Sequence, residues 1–307
     1  MLKGIIDCGT NTFHLLIADV KADKSFDIVF KLNLAVKLGE GGIDKDIIKP
    51  VAYYRGLNAL KEFKHKLTEN NVRNVKCYGT AALRKATNGN DFLNDAKQLG
   101  ITIELIDGEK EAALIHKGVS CAVNLSAEPA IIMDIGGGST EFIICQGEKI
   151  LFKRSFELGA ALLLEKFKPH DPIKVNEIKL IEQYIYSTLE PMFEFVSAND
   201  ILLTELVGSA GSFETFAEMC LHVFGNPNDL AGKNSFDIPL QQYHQIHKQL
   251  LASNAAQRKQ MKGLIEMRVD MIVIASLLFM FVVRKLNINK VTLSAYALKE
   301  GMLLEGD

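Results

Sequence analysis

Asp134-Ile135-Gly136-Gly137-Gly138-Ser139-Thr140-Glu141 decides how this 307-residue chain is read. The apolar run Ala130-Ile131-Ile132-Met133 leads into it and Glu141 to Cys145 leads out, so the stretch reads as strand, glycine-rich turn, strand. An earlier copy of the device stands at Asp7-Cys8-Gly9-Thr10-Asn11-Thr12, between Ile5-Ile6 and the apolar stretch from Phe13 to Ala18. The two copies lie 127 residues apart (134 − 7). Strands and helices are mixed after each copy, which implies an internal duplication and two α/β lobes.

Apolar periodicity places the other elements. After the first turn come a strand at 26–30, a helix at 50–67 and strands at 75–80 and 101–106. A helix at 92–99, stopped by Gly100, lies between those strands, and another follows at 109–119. After the second turn come a long helix at 176–196, which Pro191 is expected to kink or end, and a strand at 203–207. Helices at 239–251 and 266–286, a strand at 291–293 and a last helix at 295–304 complete the chain.

Each Asp-x-Gly turn presents backbone N–H groups with no large side chain over them, so an anion can approach closely at Gly9 and at Gly136, Gly137 and Gly138. Thr10, Thr12, Ser139 and Thr140 add hydroxyl donors, and Asp7 and Asp134 end the strands where a divalent cation could sit. One copy also fits an ordinary β-hairpin. Two copies, one per lobe, can grip a phosphate chain from both sides. A third glycine-rich stretch, Gly208-Ser209-Ala210-Gly211-Ser212, ends a strand and opens a helix. It reads either as an anion-binding helix N-terminus or as a plain strand-to-helix turn.

Composition sets the bounds. With 48 % hydrophobic and 23 % charged residues, the chain is an ordinary globular protein, long enough for two cores. A net charge of −2 argues against nonspecific nucleic-acid binding but leaves room for a local basic groove. The cysteines Cys8, Cys77, Cys121, Cys145 and Cys220 are scattered and odd in number, without a C-x-x-C pair, so neither a disulfide framework nor a structural zinc is expected. Met1-Leu2-Lys3-Gly4 shows no signal-peptide pattern, and the longest apolar run, 271–283, falls short of the roughly 20 residues that span a bilayer. The expectation is a cytoplasmic protein without membrane partners.

The order of the three glycine devices resembles the actin, Hsp70 and sugar-kinase (ASKHA) superfamily. Within it the chain is most similar to the exopolyphosphatase / guanosine pentaphosphate phosphohydrolase (Ppx/GppA) family. The resemblance runs through Ile6 to Ile17, Gly79-Thr80-Ala81-Ala82-Leu83-Arg84-Lys85-Ala86, Gly108-Glu109-Lys110-Glu111-Ala112 and Met133 to Glu141. It continues at Gly208 to Ser212, Arg268-Val269-Asp270 and Ser294 to Gly301. It implies an α/β fold of two actin-like, ribonuclease H-like lobes with a cleft between them. The lobes would be 1–122 and 123–307, with the last helix, about 295–307, having packing back on the first lobe as its alternative.

The resemblance also implies roles. Glu111 stands where the family has the glutamate that activates the attacking water, a role a cleft carboxylate can perform. Glu109, two residues earlier, is its competitor, and for either the bland alternative is a solvated acid at a helix start. Arg84 matches a phosphate-contacting arginine; a surface salt bridge is the alternative. Asp7, Asp134 and Glu141 match the acids beside the metal, implying Mg²⁺. Gly9, Thr10, Asn11, Thr12, Gly136 to Gly138, Ser139, Thr140, Gly208, Ser209 and Gly211 would bind phosphate. The reaction implied is hydrolysis of a terminal phosphoanhydride of polyphosphate, guanosine pentaphosphate or both, with a homodimer implied by the family alone. The rivals are an ATP-dependent kinase or ATPase of the same superfold and a non-catalytic sensor of alarmone or polyphosphate.

Lys31, Lys37, Arg84 and Lys85 would extend a groove for a longer chain, or would be scattered solvated charge. Long family members carry a further C-terminal helical domain, and only the two-lobe core is expected here. Cys8 reads as a packing residue rather than a nucleophile, His14 as structural, and His244 and His247 as surface or satisfied histidines rather than metal ligands.

Overall fold

A computed structural model describes residues 1–23 and 25–305. The first half runs β1 (Leu2–Cys8), β2 (Thr12–Val20), β3 (Phe26–Ala35), α1 (Pro50–Glu69), β4 (Asn74–Gly79), α2 (Ala81–Lys85), α3 (Gly89–Gln98), β5 (Glu104–Leu105) and α4 (Gly108–Ala122). The second half runs β6 (Pro129–Ile135), β7 (Thr140–Gln146), β8 (Lys149–Phe156), α5 (Ala160–Phe167), α6 (Val175–Ala198), β9 (Glu205–Ser209) and α7 (Ala210–Phe224). It ends with β10 (Ser235–Asp237), α8 (Leu240–Ala252), α9 (Ala255–Arg258), α10 (Ile272–Lys285), β11 (Lys290–Ser294) and α11 (Leu298–Leu303).

Two mixed sheets result, in the orders β3-β2-β1-β4-β5 and β10-β11-β9-β6-β7-β8. In each, an antiparallel three-strand meander is followed by parallel strands on the far side of its first strand. The second sheet is the same five-strand plan with β10 added at the edge. This is the ribonuclease H-like, actin-like α/β architecture. β1 and β6 are central strands with both faces covered, which is why they read as continuous apolar runs.

One core fills the space between the first sheet, α1 and α3, around Phe13, Phe63 and Phe92. A second lies under α6, α7, α8 and α10, around Phe213, Phe216, Tyr243 and Phe279. A third joins the two sheets: Ile5 and Leu16 from one, Ile132 and Val207 from the other, with Ile115 and Val119 of α4 and Leu298 and Met302 of α11 between them. The two helices are exchanged. α4 lies against β7 and β8 of the second sheet, and α11, from the chain's end, lies against β1 and β2 of the first. They touch backbone to backbone: a Cβ on Gly118 would sit 2.0 Å from the Ala297 carbonyl oxygen, and one on Gly301 would sit 1.9 Å from that of Leu114. Only glycine at both positions allows this approach.

Several elements differ from the sequence reading. The helix expected at 266–286 is broken: a 3₁₀ turn at Glu266–Arg268 precedes α10. Arg258 Nε donates to the Val269 carbonyl at 2.8 Å, taking an acceptor that a continuous helix would have used internally. The strand expected at 101–106 pairs only at Glu104 and Leu105, because the Ile101 amide returns to Ala96 to close α3 after Gly100 (φ +81°). The strand expected at 26–30 continues to Ala35. α6 runs through Pro191 to Ala198, carried by the buried stripe Ile181, Ile185, Leu189 and Met192. α2, β8 and α5 carry too little periodicity to be read. The last helix is only Leu298–Leu303, and residues 306 and 307 of the expected 295–307 segment lie outside the described residues. Among the described residues no helix is long and apolar enough to cross a membrane.

Candidate active site

The two Asp-Gly turns are one geometry used twice. A Cβ on Gly9 would meet the Thr12 carbonyl oxygen at 2.8 Å, and one on Gly136 would meet that of Ser139 at 2.9 Å. They face each other closely enough that a Cβ on Gly138 would lie 2.7 Å from Thr10 Oγ1 and one on Gly137 would lie 3.3 Å from Asn11 Cβ. The start of α5 fixes the second turn, since Ala160 N–H donates to Gly136 O, and those of Ala161 and Leu162 to Gly137 O. Among the described residues the amides of Thr10, Asn11, Gly137 and Gly138 have no hydrogen-bond acceptor, so they remain available to an anion.

Both turns open on a cleft of about 150 Å³. Into it come the buried carboxylates of Asp7, Asp134, Glu141 and Glu111. Burial raises Asp7 to about 7, with the charge of Asp134 adding to it and Lys299 opposing. Burial likewise raises Asp134 to about 6 and Glu141 to about 7. Glu111 is held well above the carboxylate range, first by burial and then by Glu141, with Arg84 opposing. Asp7 Oδ1 and Glu111 Oε2 are buried without a hydrogen-bond partner among the described residues. Four such acids in one cleft call for cationic company, and two of them lack even a neutral donor.

Local sequence explains how Glu111 arrives there. Asp107 caps α4 by accepting from Lys110 N–H at 2.7 Å, which puts Glu111 in the first turn. Gly108 lets that end press onto β8, since a Cβ there would sit 2.4 Å from the Ser155 Cβ. The Ser155 hydroxyl in turn donates to Glu141 Oε1 at 2.6 Å. Glu109, on the other side of the turn, has its side chain 76 % exposed against 7 % for Glu111, and lies 3.9 Å from Lys153. Arg84 Nη1 donates to the Ile106 carbonyl and stands 3.6 Å from Glu111 Oε2, at the flank of the cleft rather than in its lining.

The third glycine stretch is divided. Gly211 and Ser212, at the start of α7, line the cleft, and Ala210 holds a left-handed φ of +62° at the junction. Ser209 is fully buried and donates to Asp134 Oδ2 at 2.9 Å. Gly208 faces away: a Cβ there would lie 2.0 Å from the Phe213 ring. Thr140 also faces away, its hydroxyl donating to Leu158 O at 2.9 Å. Gly9, Thr10, Asn11, Thr12, Gly136, Gly137, Gly138 and Ser139 all line the cleft.

The basic residues do not form an open groove. Lys31 faces Glu300 at 3.6 Å, Lys37 faces Asp270 at 3.4 Å, and Lys85 pairs with Glu157. Cys8 is buried 3.7 Å from the Cys77 sulfur, and burial pushes its thiol well up. His247 is buried with Nδ1 2.8 Å from Ser276 Oγ, and among the described residues no three His, Cys, Asp or Glu side chains enclose a metal position.

Four titratable side chains not assigned to the site from the sequence also line the cleft: His14, expected to be structural, and Glu214, Arg268 and Lys299. His14 is 2.7 Å from Asn33 Oδ1; burial, then Lys299, lowers it to about 3, so it is neutral. Arg268 lies over Gly211, where a Cβ would be 1.6 Å from its Nη2, and donates to Thr215 Oγ1 at 2.5 Å. Lys299 comes from α11. Burial works against its charge, and the carboxylates of Glu300, Glu214, Asp7 and Asp134 outweigh it, holding the ammonium above its usual range. The segment Ser294 to Gly301 carries part of the family resemblance, but it assigns Lys299 no role, because the place of that side chain depends on where α11 docks.

Comparison with known proteins places the chain in a family. The model of the Ppx/GppA phosphatase family matches residues 16–306. The crystal structure of an exopolyphosphatase from Cytophaga hutchinsonii superposes with a TM-score of 0.94 at 38 % identity, covering 99 % of this chain and 98 % of that one. The Aquifex aeolicus member of the Ppx/GppA family shares the fold, with a TM-score of 0.79 at 23 % identity over 99 % of this chain and 96 % of that one. The guanosine-5'-triphosphate,3'-diphosphate pyrophosphatase of Vibrio parahaemolyticus is 29 % identical over 305 residues, which are 99 % of this chain and 59 % of that protein. The chain thus spans less than two thirds of the length of the curated relatives it matches. With nearly every residue inside the family model and both Asp-Gly turns in place, the chain belongs to the Ppx/GppA phosphatase family.

Proposed function

We propose that this chain is a phosphoanhydride hydrolase that releases the terminal phosphate of inorganic polyphosphate, guanosine pentaphosphate or both. The observation that carries the reading is Glu111: a buried carboxylate with an unpartnered oxygen, in the same cleft as two opposed turns of free backbone amides. The relatives support it, an exopolyphosphatase at 38 % identity and guanosine-5'-triphosphate,3'-diphosphate pyrophosphatases at about 29 %.

In this reading the amides of Thr10, Asn11, Gly137 and Gly138 hold the phosphate chain. The terminal phosphorus then faces Glu111. A water between them attacks in line, its proton passes to Glu111 Oε2, and the bridging P–O bond breaks with its electron pair leaving on the shortened chain. A raised pKa makes the ionised Glu111 a stronger proton acceptor, and Arg84 at 3.6 Å favours that ionised form. Asp7, Asp134 and Glu141 offer only hard oxygen, and Asp7 Oδ1 lacks a partner, so they suit a magnesium ion held by one or two carboxylates with water and phosphate completing its shell. Bound there, magnesium would neutralise phosphate charge.

Phosphate release with magnesium tests the proposal, with long polyphosphate, tripolyphosphate, guanosine pentaphosphate and ATP compared in parallel. The expected result is release from polyphosphate or pentaphosphate that falls about 10²- to 10⁴-fold in Glu111→Gln. Turnover of ATP alone would favour a kinase-like activity, and binding without release would favour a sensor; either overturns the proposal.

A further inference from the structure

We propose that Lys299 is a substrate-binding residue whose ammonium takes the non-bridging oxygens of the phosphate held between the two Asp-Gly turns. The inference rests on the hydrolase reading only for the identity of the substrate; the site itself is a claim about phosphate binding. Lys299 lines the cleft that holds Asp7, Asp134, Glu111 and both turns. It makes neither a hydrogen bond nor a close ion pair with any described residue, although every acid around it attracts it from a distance. The other cations near the site are engaged. Arg84 is held by the Ile106 carbonyl, and Arg268 by Thr215 with Glu214 3.9 Å away. Lys299 is the cation of the cleft lining whose three N–H donors are all uncommitted among the described residues.

Its setting is rigid. The buried Glu300 carboxylate accepts from the Ala297 amide at 2.9 Å, which closes the start of α11 around Lys299. Gly301 and Gly118 then lock α11 onto α4, the helix that carries Glu111. The ammonium and the carboxylate proposed to activate water are therefore built on two helices in backbone contact. A phosphate bearing several negative charges meets four carboxylates in this cleft, and an uncommitted ammonium supplies a positive charge that neutral amide donors lack.

The test uses the full chain and inorganic tripolyphosphate with magnesium, titrated calorimetrically in a Glu111→Gln background. Lys299→Gln is expected to weaken binding about tenfold to a hundredfold, as loss of a charged hydrogen bond does, and Lys299→Arg to restore most of it. Thermal unfolding confirms that each variant is folded. In parallel, wild-type protein is treated with acetic anhydride, and Lys299 acetylation, read by peptide mass spectrometry, is expected to slow when tripolyphosphate is present. A folded Lys299→Gln that binds tripolyphosphate as tightly as its parent overturns the inference. So does equal acetylation with and without tripolyphosphate, whatever the variant does. If tripolyphosphate binds through Lys299 but no phosphate is released from any substrate, the hydrolase reading fails and this site stands. If substrate is hydrolysed while Lys299→Gln binds normally, the reverse holds.

Discussion

Replacing Gly301 with alanine should separate two helices and slow the reaction by moving side chains that the substitution never touches. The new Cβ would lie 1.9 Å from the Leu114 carbonyl oxygen and 2.7 Å from its carbon. Ordinary contact starts near 3.4 Å, so α11 must retreat from α4 by about 1.5 Å (3.4 − 1.9). Both atoms struck are backbone in the middle of a helix, so no rotamer change can relieve the overlap. Overpacking of this kind costs about 1–3 kcal/mol. Lys299 is two residues from Gly301, and Glu111 is three from Leu114. A shift of this size between them is in the range that lowers a rate about 10²-fold. Gly118→Ala strikes the same interface from the other helix, at 2.0 Å from Ala297 O. Once the helices have parted for one Cβ, the second finds room, so the double variant should lose less stability than the sum of the singles. Urea denaturation measures the stability and phosphate release measures the rate. A Gly301→Ala protein with wild-type stability would refute the packing argument, and strictly additive losses would refute the shared retreat.

Two further outcomes are expected. Glu109→Gln should release phosphate at the wild-type rate, because that side chain is 76 % exposed outside the cleft; a large loss in the same release assay would reassign the base. His247 is lowered from 6.5 to about 4, first by burial and then by the charges of Arg284 and His244. The unfolded chain therefore takes up a proton that the folded chain refuses between these values. Stability from this group is full above pH 6.5 and falls as pH drops toward 4, by about 3 kcal/mol in all. His247→Gln should flatten that part of the pH dependence of the urea midpoint, and an unchanged slope would contradict it.

Much of the architecture was legible because it is written in short-range pattern. β1 and β6 are apolar on both faces and end in Asp-x-Gly, and their turns are built from contacts three residues apart, Gly9 to Thr12 and Gly136 to Ser139. The broken helix at 266–271 was not legible, since its cause is Arg258 reaching the Val269 carbonyl, a contact invisible to periodicity. Thr140 and Gly208 looked like phosphate ligands by type and place, yet pairing turned one toward Leu158 and packing set the other under Phe213.

By itself the sequence determined the duplicated strand–turn–strand units, the two sheets they seed and the acids that end them. Those follow from local propensity, alternation and glycine geometry, which act over a few residues. The tertiary structure decided which of Glu109 and Glu111 enters the cleft, that Arg84 stands at its flank, and that Lys299 reaches the same cleft as Asp7 from the far end of the chain. Those placements depend on α4 and α11 exchanging sheets and meeting at Gly118 and Gly301, where close packing between distant segments sets distances that no local pattern carries.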